Sequence, residues 1–96
     1  MTQEERIRKH VDRCIDNYAD QCGDAFRLHA KWEREHIVNI GTSVLCTKWE
    51  VGYPGGSFVQ AIIDNDLREA FGRADTVNQD CIKFYVMLIH NTGYIA

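Results

Sequence analysis

Residues 2–38 read TQEERIRKHVDRCIDNYADQCGDAFRLHAKWEREHIV, and their spacing decides the fold class. Ile7, Val11, Cys14, Ile15, Tyr18, Cys22, Ala25, Phe26, His29 and Trp32 recur by threes and fours, the signature of one apolar helical stripe. The phase passes through Gly23 without a slip. Two arrangements preserve it. One is a single helix, about 54 Å long at 1.5 Å per residue, which would project from the globule and pack on another subunit. The other is a pair of helices broken near Gly23, with Asp24 capping the second. The unbroken phase favours the single helix, because a break usually resets the stripe.

Residues 39–56 change character. Thr42, Val44, Cys46, Thr47 and Trp49 favour extended structure. Their alternation is imperfect, so 42–50 reads either as a short strand or as a helical turn ending at Gly52. A lone strand would need a partner, such as the same strand of a second chain. Gly52-Tyr53-Pro54-Gly55-Gly56 is the clearest loop of the chain. Ser57 with Gln60 three residues on has the pattern of a capping box. The stripe Val59, Ile63, Leu67, Ala70, Phe71 and Ala74 then predicts a helix that Gly72 ends in a left-handed cap. Asp75 or Thr76 starts the next helix, with Thr76 and Gln79 as a second capping pattern. Val77, Cys81, Phe84, Tyr85 and Leu88 line one side of it, and Ile82, Val86 and Ile89 another. A helix apolar nearly all round is central or part of an interface. Asn91-Thr92-Gly93 stops it. The pattern predicts a single mainly α domain over 1–96, with an α+β variant in which 42–50 supplies one or two short strands. A long N-terminal helix or helix pair precedes a C-terminal helical hairpin.

Size and charge narrow the function. A 96-residue chain is one domain with a small stability margin, and oligomerisation commonly widens that margin. Together with the overlong first stripe and the second apolar side of the last helix, this predicts a homo-oligomer. The net charge of −3 and pI near 5.7 argue against a primary role on nucleic-acid backbones. No window offers the roughly 18 apolar residues of a membrane span. Met1 to Lys9 are polar and charged, without a secretory pattern. The expected compartment is therefore the cytoplasm, and Cys14, Cys22, Cys46 and Cys81 are expected to be free thiols.

Several constellations were weighed for chemistry. His10 and Cys14 lie four apart, and His29 and His36 seven apart. None has the tight spacing of a structural zinc site, so no metal and no cofactor are expected. No motif places a nucleophile on a strained turn, so no catalytic residues are assigned. The glycine-rich turn at a helix start is more suggestive, since free amides at Gly55, Gly56 and Ser57 could hold an anion. It lacks the lysine of a Walker-type loop. Asn65, Asp66, Arg68, Arg73, Asp75 and Asn78 form a polar group around the next helix. They read either as caps and surface pairs, with Asn78 pointing outward, or as a recognition patch. Trp49, Tyr53, Phe58, Tyr85 and Tyr94 supply aromatic surface near the loop, either a stacking wall or core. The candidate binding set is Trp49, Tyr53, Gly55, Gly56, Ser57, Asn65, Asp66, Arg68, Arg73, Asp75 and Asn78.

The run from Gly52 to Asp75, followed by Asn78, resembles short accessory proteins encoded by phages and prophages. Those share a Pro-Gly-Ser-Phe turn, then Asn-Asp-Leu, then Ala-Asp and Asn. Here the turn carries one extra glycine, Gly55 or Gly56. The resemblance covers residues 52–91 and brings no catalytic residues with it. It implies a non-catalytic accessory protein that binds a host target, most plausibly an anti-defence inhibitor that blocks a CRISPR or other immune effector. The implied partner is a host defence protein. The rival readings are a sponge for an anionic nucleotide messenger and a small structural or assembly protein.

Overall fold

The computed structural model describes residues 1–95. Its elements in chain order are α1 (Gln3–Cys22), α2 (Asp24–Trp32), α3 (Arg34–Lys48), α4 (Ser57–Ile63), α5 (Leu67–Arg73), α6 (Thr76–Asp80) and α7 (Ile82–Asn91). The mainly α expectation holds, with a long first helix, and no strand occurs among the described residues. No described helix is long and apolar enough to cross a membrane.

The N-terminus of α1 is fixed locally. Thr2 Oγ1 accepts from the Glu5 amide at 3.1 Å, and Glu4 and Glu5 sit in the first turn, where the helix dipole favours negative charge. Ile7, Val11, Cys14 and Ile15 then form the buried stripe. The single 54 Å helix favoured by the unbroken phase does not form. Gly23, at φ +92, lies outside the helical region and ends α1, and Glu33 breaks the chain again before α3. Gly23 is the first residue beyond α1 and also precedes α2, and Asp24 makes no capping bond. The molecule measures 32 × 27 × 20 Å, too short for a straight helix of that length. The stripe keeps its phase because each segment turns its apolar side back onto the same core. Phe26 thereby stacks against Phe84, with ring centroids 4.9 Å apart. The projecting helix that motivates a second subunit in the sequence is absent.

Residues 42–48 are the second correction. They belong to α3, not to a strand. Ile37, Val38, Gly41, Thr42, Val44, Leu45 and Cys46 are all buried, so α3 is covered on most of its circumference. A helix buried nearly all round shows little amphipathic period, which is why its β-branched residues read as extended. Burial overrides their propensity. Helix α1 runs antiparallel beside α3: Arg34 pairs with Asp12 and Asp16, while Arg8, earlier in α1, bonds Asn39, later in α3.

The second half is more finely divided than the pattern predicts. The residue before α4 is Gly56, and Ser57 is the first helical residue without a side-chain cap. The Ser57–Gln60 capping box is not made; the Gln60 side chain donates to the Gly55 carbonyl at 3.4 Å instead. The continuous helix through Gly72 is split after Ile63. Asn65 adopts φ +58, and the Asp66 amide reaches back to the Ala61 carbonyl at 2.9 Å, a left-handed helix end of the kind Asn tolerates. Asp66 then caps α5 by accepting from the Glu69 amide at 3.1 Å. Gly72 lies inside α5 and terminates nothing; extended Ala74 follows the helix. Asp75, not the Thr76–Gln79 pair, caps α6 through the Asn78 amide at 2.7 Å. Cys81 separates α6 from α7.

Helix α7 is the central post, packed on α1, α3, α4 and α6. Cys81, Phe84, Tyr85 and Leu88 are fully enclosed, and of its second apolar side Ile82 is buried as well while Val86 is exposed. The cysteines are free thiols. The tightest contact in the fold lies at Gly41. A Cβ placed there would sit 2.7 Å from Val11 Cγ1 and 3.0 Å from Leu88 Cδ1, so α1, α3 and α7 meet only because this position carries no side chain.

Two glycines in helices therefore respond oppositely to alanine. Ala is favoured over Gly in a helix by about 1 kcal/mol, but overpacking a closed core costs about 1–3 kcal/mol. Gly41→Ala should lower stability by about 1 kcal/mol net, against the stiff Val11 side chain. Gly72→Ala, which meets open space, should raise it by about 0.5–1 kcal/mol. Urea titration of both variants beside the parent protein gives the two signs.

Candidate functional site

The eleven candidate positions fall into three places. The first is the connection between α3 and α4. Trp49 is half-buried and meets Tyr94 edge-on, with centroids 5.4 Å apart. Tyr53 stands 96% exposed. Gly55 is pressed against α3: a Cβ there would lie 2.6 Å from Ser43 Oγ and 2.7 Å from Val59. Its amide donates inward to Thr47 Oγ1 at 2.8 Å. One of the amides expected to cradle an anion is thus already engaged, and Gly55 is explained by close packing. Gly56 and Ser57 are exposed at the start of α4.

The second place is the α4–α5 edge. Asn65 occupies the left-handed turn, and Asp66 caps α5. Arg73 bonds Glu69 at 2.6 Å on the surface. Arg68 is exposed, and among the described residues it has neither an ion-pair nor a hydrogen-bond partner. Only Ala70 of α5 is buried. Leu67 and Phe71, assigned by the sequence to the inward stripe, are 62% and 43% exposed. The turn at Asn65 re-aims α5, so the stripe of α4 does not carry over. The adjacent Asn65-Asp66 pair, a turn residue followed by a cap residue, was the signal for that break.

The third place is α6, where the polar residues turn inward. Asn78 is not outward-facing; it is 6% exposed. Its Oδ1 accepts from the Tyr85 hydroxyl at 3.1 Å and from His36 Nε2 at 3.0 Å. His36 Nε2 also lies 3.7 Å from Asp75. Nearby, His29 bonds Asp80 at 2.8 Å through Nε2 and Glu33 at 3.1 Å through Nδ1. The two histidines, seven residues apart in the sequence, thus fasten α6 to α2 and α3. The spacing was legible, but the partners were not.

Electrostatics assign these groups to structure. The hydrogen bond to Asp80 is the largest influence raising the His29 pKa, opposed by burial and aided by Glu33. Burial raises the Tyr85 hydroxyl far above its ordinary value. Burial likewise pushes the Cys81 thiol up to about 12, and raises Cys14, Cys22 and Cys46. A thiol held in its neutral form is a weak nucleophile and a weak metal ligand. Among the described residues no group of three His, Cys, Asp or Glu is arranged to hold a metal ion. No protein-family model, curated protein or solved structure matches the chain.

Two measurements test the structural role of this network. Asn78→Ala strands the Tyr85 hydroxyl in the core and should cost about 1–3 kcal/mol in chemical denaturation. His29 has its folded pKa raised above 6.5, so its protonated form is the one the fold favours. Its stabilisation is complete below that unfolded value and is lost as pH rises through the folded value. The melting difference between the parent protein and His29→Gln should therefore be larger near about pH 6 than near about pH 9. A difference that grows with pH would reverse the assignment.

Proposed function

We propose that the chain is a non-catalytic binding protein that seats a protein partner on the solvent side of α5. One observation carries the reading: Leu67 and Phe71 lie exposed one turn apart, beside an Arg68 that no internal group engages. Neighbours at i and i+4 share a helix face, so the pair offers one apolar surface. Apolar anchors next to arginine have the composition of interface hot spots, in which a few residues carry most of the binding energy.

The remaining chemistry supports a non-catalytic role. The histidines best placed for proton transfer are engaged by Asn78, Asp80 and Glu33, and burial keeps all four thiols protonated. The resemblance of residues 52–91 to phage and prophage accessory proteins points to a host defence protein as the partner. It also points to inhibition of a CRISPR or other immune effector as the outcome, in a bacterial cytoplasm. The exposed Val86 on α7 is the residual support for self-association.

The test is infection of a bacterium carrying an active defence system while the chain is expressed. The parent protein should raise phage plating. The double variant Leu67→Asp, Phe71→Asp should abolish the effect, and Arg68→Ala should weaken binding to the blocked effector by about 2 kcal/mol. All three positions are exposed, so melting should stay within about 0.5 kcal/mol of the parent. A double variant that is folded and fully protective would remove α5 as the binding face. Loss of a dimer in the double variant, with no host partner, would instead make the occupant a second copy.

A further inference from the structure

Away from α5, the antiparallel seam of α1 and α3 opens at one end into a recess of about 560 Å³, closed from the side by residues 51–53. Glu4 and Arg8 line it from α1. Asn39, Thr42 and Ser43 line it from α3, and Tyr53 lines it from the loop. The size lies within the range of small-molecule sites. An independent observation points to a ligand. Thr42 is 3% exposed, and no group of the protein bonds its hydroxyl, not even the carbonyl one turn back in its own helix. Buried hydroxyls are ordinarily partnered. A β-branched apolar residue would fill the same space without that cost, so the hydroxyl calls for a use.

The hydrogen-bonding inventory defines the chemistry. Arg8 donates to Asn39 Oδ1, which leaves the Asn39 amide nitrogen free to donate and leaves Arg8 with spare donors. Thr42 and Ser43 add two hydroxyls. Four donor groups thus converge on one side, a setting for a carboxylate. Glu4 lies one turn away on α1, about 6 Å along the helix axis, and supplies an acceptor for a cation. Glu4 and Arg8 have the spacing of a helical ion pair, yet no ion pair between them forms among the described residues; Arg8 engages Asn39 instead. The two charges cancel, so the recess suits an occupant of zero net charge that carries both signs. A nucleoside monophosphate would set excess negative charge against Glu4. The Tyr53 ring lines the recess and is otherwise free in solvent, a surface for a planar group to stack on.

We infer that the recess between α1, α3 and Tyr53 binds a zwitterionic α-amino acid with an aromatic side chain. The carboxylate lies against Arg8, Asn39, Thr42 and Ser43, the ammonium against Glu4, and the ring against Tyr53. The site is separate from the α5 face and stands or falls independently of it.

Calorimetric titration of the full chain with L-phenylalanine tests the assignment. The expected result is saturable binding. N-acetyl-L-phenylalanine, which lacks the ammonium, and phenethylamine, which lacks the carboxylate, should each bind at least about tenfold more weakly, as ligands that strand polar groups of a site do. Thr42→Val should melt no lower than the parent protein and bind at least about tenfold more weakly. Tyr53→Ala, at a position whose side chain is almost wholly in solvent, should weaken binding with unchanged melting and serves if the Val variant misfolds. No saturable binding would overturn the inference. So would equal binding of the two truncated ligands, or adenosine monophosphate binding more tightly than L-phenylalanine.

Discussion

The close approach at Gly41 is the constraint on which the other packing depends. Helices α1, α3 and α7 converge there, with Val11 and Leu88 occupying the space a side chain would need. Interhelical distance is set by the residues at the contact, and at this point one partner contributes only backbone. The consequence spreads along α7. With α3 drawn in, Phe84 reaches Phe26 on one side, and Tyr85 reaches Phe58 on another, with centroids 5.8 Å apart. The Tyr85 hydroxyl then arrives beside Asn78 inside the core. The buried polar network around α6 is thus positioned by an apolar contact on the opposite side of the same helix.

That arrangement explains why the two halves of the chain differ. The three N-terminal helices wrap the central post and bury most of their apolar stripe. The C-terminal half is built from short pieces, α4 to α6, each ended or started by a local device: Asn65 in a left-handed turn, Asp66 and Asp75 as caps. Such devices hold a helix in place with few buried contacts. Helix α5 is the extreme case, anchored in the core by Ala70 alone. It is free to present Leu67, Arg68 and Phe71 because the core does not require them.

The helical class was legible in residues 2–38, since a stripe of that length has one interpretation. Its division was not, because Gly23 and Glu33 turn the chain without shifting the phase. Residues 42–48 misread as extended because a helix buried on most sides has no polar face to mark its period. In the candidate set, Asp66 and Asp75 were recognisable as polar helix-end residues, and Arg68 as an exposed donor. Leu67 and Phe71 were hidden, since an apolar residue at helical spacing is ordinarily core. Asn78 misled in the opposite sense: a polar residue near a cap reads as surface, and only its partners His36 and Tyr85, distant in sequence, reveal that it is buried. Thr42 gave no signal, because an unbonded hydroxyl is visible only in three dimensions.

The central claim is that the seam at Gly41 carries the stability and leaves α5 as a dispensable, solvent-facing element. Native-state hydrogen exchange resolved by residue tests it most directly, because amides that open only with the whole fold report the global free energy and others report less. The account predicts that amides flanking Gly41 in α3, and their neighbours around Val11 and Leu88, exchange only through global unfolding, while those of Leu67–Arg73 exchange through a lower-energy local opening. Protection of α5 equal to that of the Gly41 seam would contradict it.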